Sequence, residues 1–303
     1  MSTITRQQNM RQVWWQLTRP HTLTASFVPV LIGTILALFY HTIHAGLFLA
    51  MLAACLLIQI ATNLFNEYYD FKRGLDTEAS VGIGGAIVKG VLKPKTILNT
   101  ALLMYGFSIL LGVYICMNSS WWLALIGLLG MAVGYLYTGG PLPIAYTPFG
   151  EILAGLFMGS MFILISFFIQ TGVVNRESVL ISVPVAILVG AINMSNNIRD
   201  LEGDRDFGRK TLAILIGPKG AIMILAVMFL AAYLWVTGLI ISGIVSPWLF
   251  LVLLSIKKPI DAVSGFIGKT SPKEMMGAMK ATAQTNTFFG LLICAGLAIS
   301  YFL

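Results

Sequence analysis

The stretch Gly46–Asp70, GLFLAMLAACLLIQIATNLFNEYYD, decides the fold because an apolar run ends abruptly in a polar segment. Its first 20 residues, up to Phe65, contain no charged side chain, and about 20 such residues cross the hydrocarbon core of a bilayer as a helix. Comparable apolar runs recur throughout the 303 residues, of which 57% are hydrophobic and 10% are charged. A water-soluble protein of this size needs more polar surface, so we predict a single all-α integral membrane domain.

The apolar runs predict nine transmembrane helices, packed as a bundle around a central cavity. Lys257, Lys258 and Asp261 interrupt the eighth run, so eight crossings are the alternative. The predicted spans cover residues 22–40, 46–65, 97–116, 121–137, 149–170, 179–194, 221–241, 247–266 and 281–302.

The lysines and arginines indicate how these helices are oriented. With a cytoplasmic N-terminus, 18 of the 19 fall on the cytoplasmic side, and Arg176 is the exception. Cytoplasmic loops of membrane proteins carry this excess of cations. We therefore attribute the net charge of +7 to topology in the cell membrane and to contact with membrane lipid. The charge pattern does not indicate nucleic acid, and no obligate protein partner is evident.

The carboxylates are concentrated in two short segments, each at the cytoplasmic end of a predicted span. The segments hold eight of the 12 acidic residues: Glu67, Asp70, Asp76 and Glu78, then Asp200, Glu202, Asp204 and Asp206. An offset of 130 residues pairs Asn63 with Asn193, Asn66 with Asn196, Asp70 with Asp200, and Asp76 with Asp206. This register predicts two parallel four-helix repeats, residues 22–138 and 149–266, followed by a last helix at 281–302.

The spacing of these polar residues predicts a split binding site. Positions three and four apart share one face of a helix, and two parallel helices would present such stripes at the same membrane depth. Carboxylate and amide oxygens without His or Cys suit Mg2+, and the flanking cations suit a polyphosphate. The two stripes are Asn63, Asn66 and Asp70, and Asn193, Asn196 and Asp200.

Two motifs resemble those of a known family. NEYYD at Asn66–Asp70 and NNIRDLEGD at Asn196–Asp204 resemble the paired Asp motifs of the UbiA-type superfamily of intramembrane aromatic prenyltransferases. RPHTL at Arg19–Leu23, YTGG at Tyr137–Gly140 and RKTLAILIG at Arg209–Gly217 are similar to the 1,4-dihydroxy-2-naphthoate polyprenyltransferases of menaquinone synthesis. The resemblance implies a Mg2+-dependent enzyme that transfers a polyprenyl group from polyprenyl diphosphate to 1,4-dihydroxy-2-naphthoate. Diphosphate and CO2 would be released, and demethylmenaquinone formed.

The resemblance also implies residue roles. Tyr137 and Asn193 would position the acceptor or shield a carbocation, beside the catalytic residues Asn66, Asp70 and Asp200. This chain has Glu67 where many relatives have Asp, and a six-residue step from Asp70 to Asp76 where many have four. The implied metal ligands are Asn66, Asp70, Asp76, Asn196, Asp200 and Asp204, and the implied diphosphate-binding residues are Lys72, Lys89, Arg199 and Lys210.

Two other functions are considered. Prenylation of another aromatic acceptor, such as 4-hydroxybenzoate or homogentisate, would use the same motifs. A membrane transporter more typically places ionisable residues near the bilayer midplane, often between inverted repeats. Here the carboxylates are predicted at one interface and the repeats are parallel, which favours the enzyme.

Overall fold

The computed structural model describes residues 9–76 and 85–303. Every regular element within these two ranges is helical, which confirms the all-α prediction. Short 3₁₀ helices occur at Pro20–Thr22, Ile144–Tyr146 and Pro247–Ser255, and a π-helical segment at Gly155–Ser160 joins α6 to α7. The α-helices are α1 (Met10–Leu17), α2 (Thr24–Ala37), α3 (Ala45–Lys72), α4 (Pro94–Asn118), α5 (Trp122–Leu136), α6 (Gly150–Ala154), α7 (Met161–Thr171), α8 (Arg176–Arg199), α9 (Leu201–Asp206), α10 (Leu212–Ile241), α11 (Lys257–Phe266) and α12 (Pro272–Phe302).

Six helical segments of the described ranges are long and apolar enough to cross a membrane: α3, α4, the continuous α6–α7 segment, α8, α10 and α12. A seventh is obtained if α1 and α2 count as one span, although the chain bends by 53° between them. α5 is apolar but has only 15 residues. The predicted eighth span consists of the 3₁₀ helix Pro247–Ser255 followed by α11 rather than one continuous α-helix. The structure thus supports six to seven crossings, and the count of nine stays a prediction.

The outer surface of the bundle is apolar. In the most apolar part of α4 only 22% of the residues are buried, and Leu103, Leu110 and Met117 each expose more than half of their surface. Water would oppose so large a hydrophobic surface, whereas lipid chains solvate it. The exposed side chains therefore identify the lipid-facing side of α4.

The π-helical segment Gly155–Ser160 packs directly on the backbone of α8. A Cβ atom on Gly155 would lie 2.4 Å from the Ala186 carbonyl oxygen, and one on Gly159 would lie 2.4 Å from the Ala186 Cα atom. Small residues four apart allow this close approach between membrane helices. The contact fixes the position of α6 against α8, next to the polar end of the bundle.

Candidate active site

A cavity of about 1040 Å³, the main cavity, lies inside the bundle. It follows one face of α3 from Met51 through Cys55, Ile58 and Thr62 to Asp70, a distance of about 28 Å at 1.5 Å per helical residue. Apolar side chains from α4, α5 and α7 line most of its length, whereas asparagine, carboxylate and arginine side chains line the end near Asp70. The cavity is a long apolar channel with a charged cluster at one end.

The first motif, Asn66–Asp70, reaches the main cavity from the last turns of α3. Asn66 and Asp70 both line the cavity. The Asn66 Oδ1 atom accepts a hydrogen bond from Arg19 Nη2 at 3.2 Å, and Asp70 Oδ1 accepts one from Arg209 Nη2 at 2.8 Å. Asp76 also lines the cavity, so the six-residue step does not remove it from the site.

The second motif, Asn196–Asp204, reaches the same cavity from the end of α8 and from α9. Asn196, Asp200 and Asp204 all line it. Asp200 caps α8 and forms a two-bond ion pair with Arg199, Nε to Oδ1 at 2.6 Å and Nη2 to Oδ2 at 2.5 Å. The structure thus brings both motifs to one site, as the split-site hypothesis requires. The boundaries of the two repeats stay a prediction.

Arg209 connects the two motifs. Its Nη2 atom donates to Asp70 and its Nη1 atom donates to Asp204 at 3.0 Å. Gly208 has a positive φ of 77°, so the chain turns just before Arg209 and the guanidinium enters the cavity. In sequence Arg209 is one member of a cationic run and resembles Lys210, so spacing alone did not single it out.

Arg19 is a second arginine of the site, and its role was not predicted from the sequence. It lines the cavity and has a left-handed backbone, with φ 48° and ψ 66°, which is unfavourable for a residue with a Cβ atom. Asn63 holds this turn, because its Nδ2 atom donates to Thr18 O at 2.9 Å and Thr22 Oγ1 at 3.1 Å. Backbone strain kept in place by such contacts is characteristic of functional sites.

Two of the four predicted diphosphate-binding residues lie elsewhere. Lys89 and Arg199 line the cavity, whereas Lys72 and Lys210 do not. Lys72 follows Asp70 by two residues, about 200° around the helix, and its exposed side chain lies near the Tyr68 ring, with Nζ 5.9 Å from the centroid. The Lys210 side chain is exposed, while its backbone N–H donates to the Tyr146 carbonyl oxygen.

Glu67 is buried beside the site and holds a neighbouring segment of the chain in place. It is 1% exposed, and its carboxylate accepts hydrogen bonds from the backbone N–H groups of Gly85 (3.0 Å) and Ile87 (3.3 Å). This contact holds the segment that carries Lys89 against α3. The longer side chain of Glu at this position therefore has a structural use. Glu78 lies outside the described residues.

A neutral polar pair lies next to the charged cluster. The Tyr137 hydroxyl donates to Asn193 Oδ1 at 2.6 Å, and both residues line the cavity. The Asn193 Nδ2 atom is buried without a partner among the described residues. Sequence reasoning missed a neighbouring pair, Glu151 and Asn197, in which Asn197 Nδ2 donates to Glu151 Oε1 at 2.7 Å. The sequence does contain a signal for this pair, because Glu151 is an acidic residue at the start of an apolar span.

Burial raises the pKa of two carboxylates of this site, Asp76 and Asp204. Burial raises the pKa of Asp204 to about 6, and Asp200 and Asp70 add to the rise while Arg209 opposes it. Burial, with Asp70 and Glu67 beside it, raises the pKa of Asp76 to about 6. The carboxylates therefore repel one another when charged, and cations relieve this repulsion.

The donor atoms fit a hard divalent cation that has further ligands. Within residues 9–76 and 85–303, no three His, Cys, Asp or Glu side chains form a ready-made metal site. The oxygens are instead divided between the end of α3 and the α8–α9 segment, and Asp204 Oδ2 is buried without a partner among the described residues. Mg2+ commonly uses one or two carboxylates together with phosphate oxygens and water. The arrangement suits a metal that arrives with a phosphate-bearing ligand.

Comparison with known proteins finds similar sequences and a similar fold. A 1,4-dihydroxy-2-naphthoate octaprenyltransferase of Bacillus subtilis (strain 168) is 68% identical over 300 residues, covering 99% of this chain and 96% of the relative. The fold resembles the apo structure of a UbiA homolog from Aeropyrum pernix K1, with TM-score 0.66 and 18% identity over 93% of this chain and 98% of that one. It also resembles a UbiA homolog from Archaeoglobus fulgidus bound to DMAPP and Mg2+, with TM-score 0.61 and 14% identity over 93% of this chain and 99% of that one.

The family assignment rests on most of the chain. The UbiA prenyltransferase family matches residues 26–258, a region that contains both motifs, Arg209 and the apolar wall of the cavity. The chain belongs to the UbiA prenyltransferase family.

Proposed function

We propose that the chain transfers a polyprenyl group from a polyprenyl diphosphate to 1,4-dihydroxy-2-naphthoate, with release of diphosphate and CO2, to give demethylmenaquinone. The observation that carries the proposal is the main cavity, where a charged cluster that contains both motifs lies at one end of a long apolar channel. The 68% identity to a 1,4-dihydroxy-2-naphthoate octaprenyltransferase supports the choice of acceptor.

The charged cluster would bind the diphosphate. Guanidinium groups pair well with phosphate oxygens, and three of them, on Arg19, Arg199 and Arg209, line the polar end with Lys89. Bound Mg2+ would neutralise charge on the diphosphate as it leaves. The residues that would hold the metal are Asn66, Asp70, Asp76, Asn196, Asp200 and Asp204.

The rest of the cavity suits the remaining chemistry. When the allylic C–O bond breaks, the arginines stabilise the negative charge on the departing diphosphate. The prenyl carbon then bonds to the ring carbon that carries the carboxylate, and that carboxylate leaves as CO2. Apolar walls accommodate the isoprenoid and keep water away from the carbocation. Asn193 Nδ2, which has no partner among the described residues, is available to an oxygen of the acceptor, and Tyr137 fixes its orientation.

We place this site on the cytoplasmic side of the cell membrane. The positive-inside rule supports this orientation, because the loop with Arg205, Arg209 and Lys210 belongs to the cation-rich side. The donor would then enter from the membrane and the acceptor from the cytoplasm.

The direct test is an acceptor panel. Purified protein is incubated with Mg2+, a labelled polyprenyl diphosphate and, separately, 1,4-dihydroxy-2-naphthoate, 4-hydroxybenzoate and homogentisate. We expect a prenylated product and CO2 with the naphthoate. Product with one of the other acceptors but none with the naphthoate would refute the acceptor. Metal-independent movement of a solute across proteoliposomes, without any prenyl transfer, would refute the enzyme.

A further inference from the structure

A second pocket, of about 510 Å³, lies between α11 and α12. We call it the lysine pocket. Lys269 lines both this pocket and the main cavity, so the two are neighbours at the same end of the molecule. The charged and amide side chains that line the lysine pocket are Lys258, Asp261, Lys269, Glu274, Lys280 and Gln284.

Among the described residues, the lysine side chains of this pocket form no ion pair. In the described part of the chain, the ion pairs involve only Arg199, Arg205 and Arg209 as cations. Lys258 Nζ lies 5.9 Å from the centroid of the Phe288 ring, which leaves its N–H donors unused. Three lysines and two carboxylates therefore leave one excess positive charge with free hydrogen-bond donors. This charge matches a ligand with one negative phosphate.

The pocket continues into an apolar surface along α12. Lys280, Gln284, Phe288 and Leu291 are spaced by four, four and three residues, so they lie on one face of the helix. Phe288 is 43% exposed and Leu291 is 41% exposed. From Lys280 to Leu291 the stripe is about 16 Å long, and it passes from cationic to amide to apolar. A phospholipid has the matching order, with an anionic headgroup followed by an apolar acyl chain.

We propose that the lysine pocket binds an anionic glycerophospholipid that carries one phosphodiester, such as phosphatidylglycerol. Lys258 and Lys280 contact the phosphate, and an acyl chain lies on Phe288 and Leu291. Basic pockets between membrane helices bind anionic headgroups in this way. Because Lys269 also lines the main cavity, the bound lipid lies next to that cavity.

The test measures lipid binding to the full-length protein. Delipidated protein in neutral detergent is titrated by native mass spectrometry with phosphatidylglycerol, phosphatidylcholine of the same acyl chains, and inorganic phosphate. The variant Lys258→Gln with Lys280→Gln removes two charges from the pocket. The control, Lys257→Gln with Lys273→Gln, removes two exposed charges that do not line it.

We expect phosphatidylglycerol to bind the wild type and the control more tightly than phosphatidylcholine does. The pocket variant should bind it about 30-fold more weakly, and Lys258→Arg with Lys280→Arg should restore binding. Equal weakening in the pocket variant and the control would overturn the proposal, as would equal affinity for the two lipids. Displacement of the lipid by an equimolar amount of inorganic phosphate would also overturn it, because the ligand would then be free phosphate.

Discussion

Arg209 donates hydrogen bonds to one carboxylate from each motif, and its side chain is only 10% exposed. Asp70 belongs to α3 and Asp204 belongs to α9, which are distant in sequence. A planar guanidinium can contact two carboxylates at once, whereas a lysine ammonium is a flexible point charge. At the scale of single residues, Arg209 is therefore the part of this site that is hardest to replace.

The variant Arg209→Lys tests this role. We expect prenyl transfer to fall about 100-fold, since one ammonium cannot hold both carboxylates and also meet the diphosphate. Lys210→Gln is the matched control, because Lys210 is adjacent but exposed, and it should keep nearly full activity. Steady-state rates at saturating Mg2+ give the comparison. An equal loss in Lys210→Gln would instead support the sequence prediction that Lys210 binds diphosphate.

The raised pKa values of Asp76 and Asp204 predict a pH dependence for Mg2+. Both values are about 6, so both groups are charged at pH 7.5 and largely protonated at pH 5. Mg2+ must displace these protons, and its apparent affinity should fall by up to about tenfold for each group between these pH values. Calorimetric titration of Mg2+ in the presence of a non-hydrolysable diphosphate analogue measures this affinity at each pH. Asp204→Asn should flatten the profile, and an affinity independent of pH in the wild type would contradict the assignment.

At the scale of elements, the π-helical segment and the ends of α3 and α8 set the geometry of the site. Sequence periodicity predicted that Asn66 and Asp70 share a face, and likewise Asn196 and Asp200, because helix geometry is local. It could not predict the contact of Glu67 with Gly85 and Ile87, since that contact depends on how a loop folds back over α3. The placement of Arg19 and Arg209 was missed for the same reason.

The close contact of Gly159 with α8 makes a prediction about packing. In Gly159→Ala the new Cβ atom would overlap the Ala186 backbone, and the shift should cost about 1–3 kcal/mol of stability. Gly238→Ala is the control, because nothing lies within 4 Å of a Cβ at that position. Thermal unfolding in detergent should show a lower midpoint for Gly159→Ala alone. Equal midpoints for the two variants would show that the two segments do not touch as described.

At the scale of the whole molecule, composition and hydropathy predicted an all-α membrane protein, and the described ranges agree. The number of crossings was harder to predict. Hydropathy records apolar content, and it does not distinguish the continuous α3 from the 3₁₀ helix Pro247–Ser255, nor a full span from the 15-residue α5.

Topology is tested at the two ends of α8, a helix of 24 residues. Val174→Cys and Lys210→Cys introduce exposed thiols beyond these ends, whereas the native cysteines are buried. In intact cells a membrane-impermeant maleimide should label position 174 only, and permeabilised cells should add position 210. Labelling of both positions from the same side would contradict the proposed orientation.

The central claim is that the two motifs form one Mg2+-diphosphate site. The most direct measurement is the Mg2+-dependent affinity for a polyprenyl diphosphate in the wild type, Asp70→Asn, Asp200→Asn and the double variant. We expect each single variant to lose about 100-fold or more, and the double variant to lose little beyond either, because neighbouring residues of one site are not additive. Near-normal affinity in one single variant, or losses that multiply in the double variant, would contradict the account.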